Sequence, residues 1–108
     1  MKIPSTIKVG CHMYKVEFPI VNRGSIGETH NNLNTIRIAD TSGNGKMPES
    51  SIVQTLMHEI IHAIDRKSNL CVFSKYNEGP DESKVDGFAE WLCMVLYDNP
   101  KLLDLFKR

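Results

Sequence analysis

The chain has 108 residues, 41% of them hydrophobic, with 13 basic and 13 acidic residues and no formal net charge. That length suits one domain around one modest core, and the balanced charge leaves no electrostatic footprint for nucleic acid or an anionic membrane surface. Cys11, Cys71 and Cys93 are an odd count without C-x-x-C spacing, which argues against a disulfide framework and for a reducing compartment, the cytoplasm. The first residues carry no apolar run of signal-peptide length, and no stretch of about 18 apolar residues predicts a membrane span.

Residues 5–9 and 12–18 read as two short strands around Gly10, and His12–Phe18 is rich in β-forming side chains. Gly24, Gly27 and the run from His30 to Asn34 mark turns. Ile26–Thr29 and Thr35–Ala39 are further strands. The second of these alternates cleanly, so one face is buried and the other wet, and it offers an edge to an extended peptide. Together these strands predict a small antiparallel sheet.

Residues 40–46 are a loop by composition. Pro48 suits a first helical turn with Glu49 near the positive end, and Ser51-x-x-Gln54 is a second start, as a capping box. This helix should run to about Lys67 and end at Ser68-Asn69. Residues 70–79 read as a loop. Pro80-Asp81-Glu82 repeats the starting pattern, and the second helix should reach Asp98-Asn99, where Pro100 stops it. Lys101–Lys107 predicts a short third helix with Leu102, Leu103, Leu105 and Phe106 to bury. Strands followed by helices imply a single α+β domain.

The chemistry concentrates in the first helix, where residues 58–62 read His-Glu-Ile-Ile-His. Histidines four apart on a helix project side by side and can reach one metal ion, and the glutamate between them can reach a water on that ion. At about 100° per residue, with His58 at zero, His62 falls near 40°. Ile52, Val53, Leu56, Ile60, Ala63 and Ile64 fall between roughly 120° and 240°. The predicted apolar stripe thus points away from the histidine edge, which faces a cleft, with Met57 and Ile61 bordering it.

A catalytic zinc needs a third protein ligand and an open position. No histidine follows His62, so a carboxylate must supply it: Asp65, Glu78, Asp81, Glu82, Asp86 or Glu90. On the second helix Glu82 and Asp86 project together beside the small Ala89, while Val85, Phe88, Leu92, Val95 and Leu96 supply the expected apolar contacts. Glu82 is therefore assigned as the third ligand. Asp86 is assigned to orient an imidazole, since a metal-bound histidine usually donates its other N–H to a carboxylate or carbonyl. His12 and His30 lie in the strand region and read as non-catalytic.

His58-Glu59-x-x-His62 followed by Glu82-x-x-x-Asp86 resembles the gluzincin class of zinc peptidases. Glu82 through Glu90, containing Asp86-Gly87-Phe88-Ala89, is similar to the ImmA/IrrE-like metallopeptidases of bacteria and phages; Lys84 departs from that pattern. The resemblance covers about residues 52–96. It implies a zincin-like fold and a Zn2+ ion held by His58, His62 and Glu82. It also implies Glu59 as the general base that takes a proton from the attacking water and passes it to the leaving amine. Tyr76, in the loop between the helices, is the candidate stabiliser of the oxyanion. The implied partner is a protein or peptide substrate, such as a repressor of a mobile element, with no direct role for nucleic acid or membrane. Two alternatives stay open: a zinc-bound interaction or structural protein, and a latent peptidase whose segment 101–108 blocks its own cleft.

Overall fold

A computed structural model of the chain describes residues 2–22, 24–43, 45–75 and 79–107. Four strands, β1 (Thr6–Val9), β2 (His12–Ile20), β3 (Gly27–His30) and β4 (Thr35–Ala39), form a sheet in the order β1-β2-β4-β3. β1–β2 and β3–β4 pair antiparallel, but β2 and β4 run parallel, with Val16 opposite Ile36. The sheet is therefore mixed, not antiparallel. The segment after β2 crosses over to form β3 first, and β4 returns between them. This order also corrects the edge: β4 is central, and the free edge beside the helices belongs to β3.

Tyr14, Val16, Ile36 and Ile38 point inward and are buried. The outward residues form an ion-pair ladder: Arg37 reaches Glu17 at 3.1 Å and Glu28 at 3.6 Å. Register places Gly27 opposite Ile38 and Thr29 opposite Ile36. Paired residues share a face, so Gly27 and Thr29 also point inward. Gly27, read both as a turn marker and as part of the strand 26–29, opens β3.

After two short pairs, β5 (Thr41–Ser42) and β6 (Gly45–Lys46), helix α1 spans Glu49–Lys67. Pro48 sits at its N-cap, and the Pro48 carbonyl accepts from the Ser51 and Ile52 amides. The helix starts ahead of the Ser51–Gln54 capping box, and Gln54 points its amide to Asp86 instead. Asn69, with φ of 60°, turns the chain out of the helix. Ile52, Leu56 and Ala63 pack on the sheet. Ile61, flanked by Met57, packs on the other side against Val85 and Ala89 of α2 (Glu82–Asp98). The helix is thus apolar on two sides, and Ile64, expected in the stripe, is exposed.

Two more short strands, β7 (Ser74–Lys75) and β8 (Gly79–Pro80), pair within the region read as loop. On α2 the buried row is Val85, Ala89 and Cys93, four residues apart, whereas Phe88 and Val95 are exposed rather than packed. The expected third helix is a 3₁₀ helix, Pro100–Phe106. Leu102 is half-buried while Leu103, Leu105 and Phe106 stay exposed. Among the described residues no helix is long and apolar enough to cross a membrane.

Candidate metal centre

The histidine edge of α1 lies between its two packed sides. One flank, through Thr55 and Glu59, meets β3, and the other, through Ile61, meets α2. His58 and His62 therefore sit at the seam where β3, α1 and α2 converge, with side chains only 12% and 14% exposed.

Across that seam α2 delivers Glu82. Its Oε1 lies 2.6 Å from His62 Nε2 and its Oε2 lies 3.6 Å from His58 Nε2. The two Nε2 atoms are 3.1 Å apart. One donor atom from each of His58, His62 and Glu82 falls within 4.8 Å of the others. A tetrahedral ion bound at about 2.0–2.2 Å needs donors roughly 3.3–3.6 Å apart; the 3.1 and 3.6 Å spacings lie near that, and the 2.6 Å contact of Glu82 with His62 is a hydrogen-bond distance. The group could hold a metal ion. Among the described residues it gathers three donors, and a tetrahedral ion takes four ligands.

Asp86, one turn beyond Glu82, sets its Oδ1 3.5 Å from His58 Nδ1. This is the ring nitrogen turned away from the cluster, the place of an orienting carboxylate. Gln54 approaches the same Oδ1 at 3.5 Å.

Glu59 is 5% exposed and lies on the β3 side of the histidines. Its Oε2 is 3.9 Å from His58 Nε2. The hydroxyl of Thr29 donates to Glu59 Oε1 at 2.6 Å and approaches its backbone carbonyl at 3.1 Å. Burial pushes the Glu59 carboxyl above its ordinary range. The Thr29 hydrogen bond and the two histidines pull it back, and Glu82 adds to the rise. A carboxyl raised in this way holds its proton more readily than an exposed glutamate does.

Gly27 explains how the acid and the strand fit together. A Cβ there would lie 2.7 Å from Thr55 Cγ2 and 2.9 Å from Glu59 Oε2. Sequence reasoning missed both Gly27 and Thr29. The only available signal was a strand whose inward positions are glycine and threonine instead of large apolar residues, and that signal means nothing until the strand is placed against Glu59.

Of the other carboxylates weighed as ligands, Asp65 and Asp81 bond elsewhere. Asp65 is buried and accepts the amides of Val72, at 2.7 Å, and Phe73, at 3.3 Å, tying the following segment to α1. Asp81 caps α2, accepting from the Lys84 amide at 3.3 Å. Glu90 is exposed and outside the cluster. Glu78 and Tyr76, the latter the candidate oxyanion stabiliser, lie outside the described residues.

Two hollows flank the cluster along β3. One, of about 590 Å³, is lined by His30, Asn31, His62, Asp65, Arg66 and Glu82, among others. The other, of about 280 Å³, includes Gly27, Gln54, His58, Glu59 and Asp86 in its wall. No residue of the terminal 3₁₀ helix lines either. Leu102 and Leu105 lie beside Val95 and Asp98 at the far end of α2. His30, read as non-catalytic, is close to Glu28, at 3.1 Å, on the wall of the larger hollow.

No family model matches the chain, and no curated protein or solved structure matches it significantly.

Proposed function

We propose that the chain is a zinc-dependent endopeptidase of the gluzincin type. The observation that carries this reading is the company His58, His62 and Glu82 keep: among the described residues they form a three-donor group with the buried acid Glu59 beside it. A purely structural metal site is closed by four protein ligands and has no use for Glu59. Two imidazoles and a carboxylate suit zinc among the divalent ions.

Bound there, zinc would supply Lewis-acid chemistry, polarising a peptide carbonyl and acidifying a water. The chain's own groups do the rest. His58, His62 and Glu82 hold the ion, and Asp86 keeps the His58 ring turned toward it. Glu59, steadied by Thr29, accepts a proton from the attacking water and returns it to the departing amine. The free edge of β3 offers backbone groups to an extended peptide lying across the two hollows. By the resemblance of residues 52–96, a regulatory protein such as a repressor of a bacterial or phage element is the first substrate to try.

The test is cleavage of a peptide library by zinc-loaded wild type and Glu59→Gln. The reading predicts cleavage by wild type and a loss of about 10²-fold or more in Glu59→Gln. Equal cleavage by both proteins would contradict it.

A further inference from the structure

The face of α2 turned away from α1 is apolar where a solvent-facing helix should be polar. Phe88, Trp91 and Val95 are 51%, 67% and 44% exposed. Spaced four and three apart, they line one stripe along the helix. Phe88 gives one edge to Phe73, with ring centroids 5.5 Å apart. Lys84 and Asp98, both exposed, continue the stripe at either end, each seven residues from Trp91. Positions 84, 88, 91, 95 and 98 thus alternate steps of four and three, the spacing of a coiled-coil seam.

We propose that this stripe is a homodimer interface, with α2 packed antiparallel on α2 of a second copy about a two-fold axis at Trp91. An isologous contact needs a surface complementary to itself, and this one is. Reversing the helix about Trp91 sets Lys84 against Asp98 of the partner subunit, and Asp98 against Lys84 of the partner subunit. Phe88 then falls within one residue's rise of Val95 of the partner subunit, so each aromatic meets the smaller residue. A parallel pair would oppose like charges at both ends, which is strongly disfavoured. The site of Gly87, beside the stripe, has nothing within 4 Å of an added Cβ, so a neighbouring helix can approach closely there. Leu105 and Phe106, 77% and 75% exposed, extend the apolar surface past the end of α2. Glu82 and Asp86 occupy the opposite side of α2, so both clefts stay open in the dimer.

Trp91 is the one tryptophan of the chain and lies at the centre of the seam, so its emission reports the contact directly. Sedimentation equilibrium and tryptophan fluorescence across about 1–100 µM would be measured on wild type, K84E, D98K and the K84E/D98K double variant. Far-UV circular dichroism would verify the fold of each. The proposal predicts a wild-type dimer whose emission shifts to the blue with concentration. Each single swap should weaken it by about tenfold or more, and the double swap should restore it to near the wild-type affinity. A monomeric wild type with concentration-independent emission would overturn the proposal and leave the face to a different chain. A dimer indifferent to the single swaps, or one tightened by them, would overturn the antiparallel seam.

Discussion

Gly27 sets how closely β3 approaches the acid at the centre of the site. With Thr55 Cγ2 and Glu59 Oε2 both within 3 Å of an added Cβ, Gly27→Ala forces the strand and α1 apart. We expect a loss of about 1–3 kcal/mol, read as a lower urea midpoint at unchanged slope. Thr29 aims Glu59 through one hydroxyl. Thr29→Val keeps the shape and removes the donor, so kcat for a cleaved peptide should fall about tenfold with little change in KM, and Thr29→Ser should keep most of it. Glu59 itself makes stability depend on pH. Burial raises its folded-state pKa above the unfolded value, so its contribution to stability is full below the unfolded pKa and is lost as pH rises through the folded one. In metal-free protein Glu59→Gln escapes that loss, and its stability advantage over wild type should grow from acid to neutral pH. Thermal melts of the two across that range check this; parallel curves would contradict it.

Among the elements, α1 is packed on two sides, and the contact of Ile61 with Val85 and Ala89 sets the distance from the histidines to Glu82. Ile61→Ala should cost about 2–5 kcal/mol and weaken metal binding as well, because the third ligand arrives on α2. A competition titration against a chelator measures the second effect. The helices were legible beforehand because their signals are local: Pro48, Asn69, Asp81 and Pro100 punctuate them, and helical spacing pairs His58 with His62 and Glu82 with Asp86. The parallel pairing of β2 with β4 was not legible. It depends on a crossover between residues distant in sequence, and an alternating strand has the same pattern whichever neighbour it takes. Thr29 stayed hidden for the same reason, since its role exists only once β3 lies against α1. The exposure of Phe88 and Val95 was missed because a 3.6-residue period shows where apolar residues cluster, not which cluster faces the rest of the chain.

At the scale of the whole molecule, the candidate centre joins elements that the chain otherwise holds by two small clusters of buried side chains. Donors come from α1 and α2, the acid is steadied from β3, and no single element builds the site. An ion that binds only this arrangement must stabilise the fold. Zinc should therefore raise the melting temperature of wild type and leave that of Glu82→Ala nearly unchanged. The most direct measurement is the metal content of protein purified without added metal and then supplied with zinc, for wild type, Glu82→Ala and Glu59→Gln. The account predicts about one zinc per chain in wild type and in Glu59→Gln, and loss of the ion in Glu82→Ala. A wild type that takes up no stoichiometric zinc would contradict it.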